Sequence, residues 1–217
     1  MIGTIIAMES EAEILLTQMQ VTKQETVGNK KVYLGVAFDK EIALVICGIG
    51  KVNAAIGTQI AIDKYNASTI VNFGVAGGLN QQVELCSVYE IENAVQFDFD
   101  LTQLNGTKMG TLDEYSENYL PLSPANLFPR KNLGTADRFN DSTDDYLLLT
   151  ATLNADIRDM EGGAIVQTAI ANRLPVYAFK AISDLAGSGS TTDQYLKNRS
   201  SALANLKEKL GQIFSVL

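Results

Sequence analysis

One stretch, residues 157–184, constrains the fold of this chain more than any other. Asp159 and Glu161 mark a predicted helix start, and an apolar run after that helix leads into Ser183 and Asp184. A short apolar run predicts a buried strand, and we expect an ordinary strand–helix–strand crossover with parallel strands. Since the carboxyl ends of such strands meet the neighbouring helix starts at one edge of a sheet, Glu161 and Asp184 are predicted to share a crevice. Two carboxylates in one crevice predict chemistry on a small molecule.

The rest of the chain alternates between apolar runs and amphipathic segments. Strands are predicted at residues 2–7, 21–27, 31–38, 41–47, 68–73, 88–97 and 131–139. Helices are predicted to begin near Glu9, after Gly50, at Ser142 or Thr143, and after the Gly/Ser loop at 186–190. This order predicts a single α/β domain over residues 1–217, with a mostly parallel central sheet, some antiparallel pairing, and helices covering the sheet.

Apolar stripes assign a buried face to two of these helices. The helix after Gly50 is predicted to turn Val52, Ile56 and Ile60 inward. The last helix carries a core-packing stripe of five residues, namely Leu203, Leu206, Leu210, Ile213 and Leu217.

Glu9 and Glu11 lie in the first turn of the helix that follows the first strand. Acidic residues at this position favour the positive end of the helix dipole, and Glu9 fits that purely structural role. Glu11 is a candidate functional residue, because a helix after a central strand starts at the mouth of the sheet.

Two glycine-containing turns follow predicted strands. Residues 48–51, GIGK, lack the spacing of a phosphate-binding Walker A loop and predict a tight turn with possible anion binding by its N–H groups. Residues 74–79, GVAGGL, lack the GxGxxG spacing of a dinucleotide site. They indicate either a shelf that a ligand approaches closely or a tight bend.

The segment from residue 98 to residue 130 is the least regular part of the chain, and it is typical of a lid or a partner-binding loop. Asp98 and Asp100 alternate with aromatic residues there. We interpret them as a polar strand edge in preference to metal ligands, because two carboxylates alone are a weak metal pattern.

The chain of 217 residues contains no histidine. Because histidine is the side chain most often used to move protons near neutral pH, catalysis by Ser–His or Cys–His pairs is excluded, and acid–base chemistry falls to carboxylates, lysine, tyrosine or water.

The net charge of -8 argues against a nucleic-acid or anionic-membrane partner. Cys47 and Cys86 lack metal-ligand spacing and are interpreted as reduced and buried. The first residues resemble a strand in preference to a signal peptide or membrane span, which predicts a cytoplasmic protein.

Six motifs, in order and spacing, resemble the 5'-methylthioadenosine/S-adenosylhomocysteine nucleosidases of the purine nucleoside phosphorylase/hydrolase superfamily. They are IAMESE, GIGKVNAA, VNFGVAGGL, GTADRF, DMEGGA and AISD, and the resemblance is weakest between residues 97 and 131. It implies a nucleoside phosphorylase-like, three-layer α/β/α fold around a central twisted mixed β-sheet. It also implies a small-molecule purine nucleoside as ligand, no cofactor or metal, and a homodimer in which a neighbour's loop completes the site.

The resemblance implies roles for individual residues. Glu11 resembles the residue that activates a water against ribose C1', and Asp184 resembles the general acid that protonates purine N7. Glu161, with the backbone of Met160, resembles the clamp on the ribose hydroxyls. Phe139 would stack on the purine. The other implied substrate-binding residues are Ala76, Gly77, Lys180, Ser183 and Arg138.

These roles fit the chemistry of glycoside cleavage. C1' develops positive charge while negative charge collects on the departing base, so a carboxylate is needed near the sugar and an acid at the base. Asp184 must therefore be protonated while Glu11 is ionised, and burial of Asp184 would raise its pKa in that direction.

A missing cation favours hydrolysis over phosphorolysis. Phosphorylases of this superfamily carry arginines after the first strand and beside the glycine shelf, whereas here those places read AMESEAE and FGVAGGL. The alternatives are a phosphate-dependent purine nucleoside phosphorylase and a catalytically weak nucleoside-binding protein of the same fold.

This chain departs from the family pattern at four places. Lys180 replaces an arginine, Val75 replaces a serine, and Arg138 places a charge where an apolar residue is common. The aromatic residue that covers the 5'-alkylthio group is expected to be replaced by Thr191 or Thr192.

Overall fold

The computed structural model describes residues 1–217. Its ten strands are β1 (Ile2–Ile6), β2 (Gln20–Val27), β3 (Lys30–Ala37), β4 (Lys40–Ile46), β5 (Thr69–Gly78), β6 (Val88–Gln96), β7 (Leu120–Pro121), β8 (Arg130–Thr135), β9 (Ile157–Asp159) and β10 (Val176–Leu185). Its six α-helices are α1 (Glu9–Leu16), α2 (Lys51–Tyr65), α3 (Thr102–Asn105), α4 (Thr143–Leu147), α5 (Gly162–Ala171) and α6 (Thr191–Ser215), and a π-helical turn, Leu148–Thr152, continues α4. None of the helices combines the length and apolar character that crossing a bilayer requires.

The ten strands form one mixed sheet in which β1 lies between β4 and β5, parallel to both. The hairpin strands β3 and β2 extend the sheet beyond β4 with antiparallel pairing. On the other side, β5 pairs with β10 and β9, β10 pairs with β6, and β6 pairs with β8, which pairs with β9. These five strands therefore close into a ring. The mixed sheet predicted from the sequence is confirmed.

Helices cover both sides of the sheet and enclose two apolar cores. The pair α2 and α5 packs over one face, where Ala54, Ala61, Ile165 and Ala169 join the core. The pair α1 and α6 packs over the other face. The predicted stripe of α6 is buried there through Leu206, Leu210 and their neighbours.

The direction of β9 corrects the expected crossover. β10 runs parallel to β5, whereas β9 runs antiparallel to it, so the two strands that α5 connects are antiparallel. The two strands nevertheless bring Arg158 of β9 close to Asp184 of β10, because both residues pair with Gly77 of β5. The β9 and β10 ends therefore meet at one edge of the sheet, as predicted, but the parallel crossover from which this was predicted is wrong.

The buried face of α2 also differs from the prediction. Val52 is 70% exposed and Ile56 is 46% exposed. The helix instead packs small residues such as Gly57 on the sheet, where an added Cβ would lie 2.6 Å from Cys47 Cβ. Because so close an approach leaves no room for larger side chains, Val52 and Ile56 face away from the core, whereas Ile60 is partly buried and packs against the core as predicted.

Several local predictions can be compared directly with the structure. The hydroxyl of Ser142 accepts a hydrogen bond from the amide of Asp145, which is the predicted helix cap. Asp98 pairs with the ammonium of Lys51 at 2.5 Å, and Asp100 accepts from the amide of Thr102. Cys47 is buried and Cys86 is only partly buried, and both are free thiols.

Candidate active site

A cavity of about 360 Å³ opens where the carboxyl ends of β1, β5 and β10 meet the starts of α1, α5 and α6. This size suits a ligand of small-molecule dimensions. Its lining comprises Ala7, Met8, Glu11, Ile49, Val75, Ala76, Gly77, Phe139, Arg158, Asp159, Met160, Glu161, Ser183, Asp184, Thr192, Tyr195 and Leu196. Eight of the ten residues that the sequence proposes for the site lie on this wall; Lys180 and Arg138 do not.

Glu11 is held by two backbone amides at one end of the cavity. Its carboxylate accepts hydrogen bonds from the amide of Val75 at 2.8 Å and from the amide of Met8, at the helix start, at 3.3 Å. Burial raises the pKa of Glu11, while those amides and the charge of Lys180 oppose the rise. Glu9 points outward and pairs with Lys31 on the surface. Of the two acids in this turn, only Glu11 faces the cavity.

The glycines of β5 allow both carboxylates to pack against its backbone. A Cβ on Gly74 would lie 2.5 Å from Glu11 Oε1, and one on Gly77 would lie 2.9 Å from Asp184 Oδ1. The strand continues through this segment to Gly78 without bending away. Of the two explanations left open by the sequence, close approach accounts for these glycines.

Asp184 lies at the other end of the cavity and is only 2% exposed. A bulge at Ser183 makes Ile182 and Asp184 pair with consecutive residues of β5, so their side chains point to opposite faces. Asp184 Oδ2 accepts from the hydroxyl of Ser183 at 2.8 Å, whereas Oδ1 is buried with no hydrogen-bond partner. Burial raises the pKa of Asp184, and the hydroxyl of Ser183 and the guanidinium of Arg158 partly offset that rise. An unpaired, readily protonated oxygen is what a general acid requires.

Glu161 also lines the cavity, at the residue before α5. Its carboxylate accepts a hydrogen bond from the amide of Gly50 at 2.8 Å, which connects it to the turn before α2. Burial and the charge of Asp159 raise the pKa of Glu161 to about 7. Met160 lies beside it on the cavity wall. The sequence correctly placed Glu161 and Asp184 in one crevice.

Two aromatic rings cover the cavity mouth. Phe139, which is 50% exposed, meets Tyr195 edge-on with ring centroids 5.9 Å apart. Thr192, one of the two threonines expected in place of an aromatic cover, lines the cavity, and Tyr195, one helical turn further along α6, adds an aromatic ring that the motifs did not indicate. The signal was available, because residues three or four apart share one helix face.

Two residues proposed from the sequence lie away from the wall. Lys180 is buried under it and forms an ion pair of 2.9 Å with Asp159. Arg138 pairs with Asp145 at 3.1 Å, and its guanidinium lies over the ring of Phe97. Conversely, Arg158 lines the cavity beside Asp184, although none of the motifs indicated it as a site residue.

Comparison with known proteins gives a consistent result. The family model described as "Phosphorylase superfamily" matches residues 1–131 and 132–215. The 5'-methylthioadenosine/S-adenosylhomocysteine nucleosidase of Listeria monocytogenes is 31% identical over 207 residues, covering 88% of each chain. The nucleosidase of the same name from Staphylococcus haemolyticus is 31% identical and covers 97% of this chain and 98% of its own. The crystal structure of such a nucleosidase from Colwellia psychrerythraea, in complex with adenine, superposes with a TM-score of 0.91 at 24% identity, covering 100% of this chain and 95% of that one.

Proposed function

The chain belongs to the phosphorylase superfamily and, within it, to the 5'-methylthioadenosine/S-adenosylhomocysteine nucleosidases, and on this basis we propose how its cavity works. The protein is an N-glycosyl hydrolase that cleaves the bond between the base and the sugar of such nucleosides and releases adenine. The observation that carries the assignment of roles is the contrast between its two end carboxylates. Glu11 is fixed by two amides, whereas Asp184 keeps one buried oxygen free.

Glu11 is assigned to the water. Amide hydrogen bonds favour the charged form of a carboxylate, and Lys180 adds a positive charge nearby. The ionised Glu11 orients a water toward C1' and takes its proton as the new C1'–O bond forms. This negative charge also stabilises the positive charge that develops on the sugar.

Asp184 is assigned to the base. Its raised pKa keeps a proton available, and the unpaired Oδ1 donates that proton to purine N7. The electrons of the C1'–N9 bond then leave with a neutral base. Proton transfers of this kind each contribute roughly 10²–10⁴-fold to the rate.

The remaining wall residues hold the substrate between these two ends. Glu161 and the backbone of Met160 grip the ribose hydroxyls, and Ala76 and Gly77 form the shelf beneath sugar and base. Phe139 stacks on the purine. We assign Tyr195 and Thr192, which also line the cavity, to contact with the 5'-substituent. Lys180 acts indirectly, through the carboxylates above it.

Hydrolysis is favoured over phosphorolysis by the distribution of charge. The only cation on the cavity wall, Arg158, lies at the Asp184 end beside Gly77. At the other end, where a nucleophile would approach C1', the amide of Val75 is already bonded to the Glu11 carboxylate. A phosphate there would meet a negative charge instead of a fixed cation.

We also propose that the protein is a homodimer. Ile49, Val52 and Ile56, here called the α2 patch, are 51%, 70% and 46% exposed. Contiguous apolar exposure of this kind marks an interaction surface. Ile49 also lines the cavity, so a second copy of the chain docked on the α2 patch would close the cavity mouth.

A single domain over residues 1–217 and a cytoplasmic location complete the proposal. One continuous sheet connects β2 with β10, which supports a single domain. The free thiols of Cys47 and Cys86 suit a reducing compartment.

The decisive experiment measures adenine released from 5'-methylthioadenosine with and without phosphate. We expect release by the wild-type protein without phosphate, and losses of about 10²–10⁴-fold in Glu11→Gln and Asp184→Asn. Glu9→Gln, a change of the same kind in the same helical turn, should retain full activity. Strict dependence on phosphate would contradict hydrolysis, and unchanged turnover in both variants would contradict the assigned roles.

A further inference from the structure

Arg158 is a partly buried arginine that the reaction described above does not use. Its Nη2 atom is buried and has no hydrogen-bond partner. It takes part in none of the ion pairs of the chain, whereas Arg138, nearby in the sequence, pairs with Asp145. Because an unpaired buried donor on a charged group is destabilising, the guanidinium is suited to a partner that arrives with the ligand.

The position of Arg158 defines which part of the ligand it meets. Arg158 and Asp184 both pair with Gly77, from opposite sides of β5. From the point where a Cβ on Gly77 would lie, Asp184 Oδ1 is 2.9 Å away and Arg158 Nε is 3.3 Å away. The guanidinium group therefore lies beside the acid that serves purine N7.

Arg158 also lines a second cavity, of about 280 Å³. Polar residues and glycines, including Asp141, Ser142 and Gly187, form most of its lining. Because Arg158 lines both cavities, the base end of the main cavity is bounded there by a guanidinium and not by a closed apolar wall.

The purine edge next to N7 differs between two classes of base. A 6-aminopurine presents an acceptor at N7 and a donor at N6, whereas a 6-oxopurine presents acceptors at both N7 and O6. A protonated Asp184 and a guanidinium are two donors side by side, and arginine is the usual partner of O6 and N7. Two donors match the 6-oxopurine edge.

We propose that Arg158 donates a hydrogen bond to an oxygen at purine C6, so that the enzyme also hydrolyses 6-oxopurine nucleosides. This inference rests on the proposed function, because it uses the assignment of Asp184 to N7. The reaction is otherwise unchanged: Asp184 gives its proton to N7, the C1'–N9 bond breaks, and water adds its hydroxyl to C1' and its proton to Glu11. The products are the free sugar and a 6-oxopurine such as hypoxanthine.

The test compares 5'-methylthioinosine with 5'-methylthioadenosine, two nucleosides that differ in the group at C6. We expect wild-type protein to release hypoxanthine from the first. Arg158→Met should lower kcat/KM for 5'-methylthioinosine by about 10- to 100-fold more than it changes kcat/KM for 5'-methylthioadenosine. Arg158→Lys should retain part of the inosine activity, since it keeps a donor. Arg173→Met, which removes an exposed arginine at the end of α5, serves as the control.

The outcomes separate this inference from the proposed function. Release of adenine without any release of hypoxanthine by wild-type protein overturns the role of Arg158 and leaves the nucleosidase assignment intact. Equal losses for both nucleosides in Arg158→Met also overturn it. Release of neither base contradicts the proposed function itself. A further measurement needs no variant: calorimetric titration of wild-type protein should show hypoxanthine binding at least as tightly as adenine, and much weaker binding of hypoxanthine contradicts the inference.

Discussion

Lys180 and Asp159 form an ion pair of 2.9 Å under the cavity wall, with only 3% and 2% of their side chains exposed. Burial alone would lower the pKa of the Lys180 ammonium, but Asp159 and the nearby Glu161 and Glu11 together raise it. Lys180 is therefore a permanent positive charge. Burial raises the pKa of Glu11, and the charge of Lys180, together with the amides of Val75 and Met8, opposes that rise and so favours the ionised carboxylate.

Lys180→Met should move the pH dependence of catalysis. Without the positive charge the pKa of Glu11 rises, so the acid-side limb of the kcat/KM profile shifts to higher pH. The variant should also lose about 3–5 kcal/mol of stability, because Asp159 remains buried without its partner. Lys180→Arg keeps the charge and should keep the limb in place. A folded Lys180→Met protein with an unshifted acid limb would show that Lys180 does not tune Glu11.

Gly74→Ala should disable the water-activating end of the site. The new Cβ would lie 2.5 Å from Glu11 Oε1, and Glu11 must move away. We expect kcat/KM to fall by about 10²-fold or more, comparable to the loss of a proton-transfer group. The matched control is Gly211→Ala on α6, where the nearest atom would be 3.5 Å away. It should retain activity and gain roughly 0.5–1 kcal/mol of stability, since alanine is favoured in helices. Full activity in Gly74→Ala would exclude a fixed Glu11.

Glu161 should make stability depend on pH. Its pKa is raised from 4.5 to about 7 in the folded protein, so between these values the folded state holds a proton that the unfolded state has lost. Stability from this residue is therefore present below pH 4.5 and is lost as pH rises toward 7. Glu161→Gln should remove that loss and be more stable than wild type above pH 7, by about 1–3 kcal/mol.

Urea unfolding measured from pH 4 to pH 8 checks this prediction. Glu208→Gln, on the exposed side of α6, should follow the wild-type curve throughout. The prediction fails if Glu161→Gln also runs parallel to wild type across the whole range.

Charges placed on the α2 patch should prevent dimerisation. Val52→Glu combined with Ile56→Glu would bury two carboxylates in the proposed interface, where unpaired charge is strongly unfavourable. Sedimentation velocity should show a dimer for wild-type protein and a monomer for the double variant, with reduced activity because the cavity mouth stays open. Val216→Glu, which changes an exposed valine elsewhere, should leave the dimer intact. A wild-type monomer would contradict the proposal outright.

Patterns within the sequence predicted most elements of the fold, because apolar periodicity reports which segments can bury a face. The strand limits of β2, β3 and β4 differ from the predicted ones by at most one residue. Periodicity does not report what covers an apolar stripe. Val52 and Ile56 were therefore assigned to the core, although the small residues of α2 pack closely enough on the sheet to exclude them.

The site residues that belong to recognisable motifs could be predicted from the sequence. The direction in which a side chain points could not, because it depends on how the strands pair. Glu11, Glu161 and Asp184 were placed by their motifs. The bulge at Ser183, which turns Asp184 into the cavity, depends on register with β5 and has no signature of its own. Arg158 was not predicted as a site residue, because its position also depends on pairing with β5. A charged residue in a short, partly buried strand could have indicated a functional role.

The ring of β5, β10, β6, β8 and β9 has a kinetic consequence. β5 and β10 are far apart in the chain, and Glu11 reaches the site only through β1, which pairs on the opposite edge of β5. Pairings between such distant segments form slowly, because a long loop must close before any contact compensates for it. During refolding, nucleoside cleavage should therefore return after the circular dichroism signal has recovered, which makes catalysis a reporter of the last assembly step.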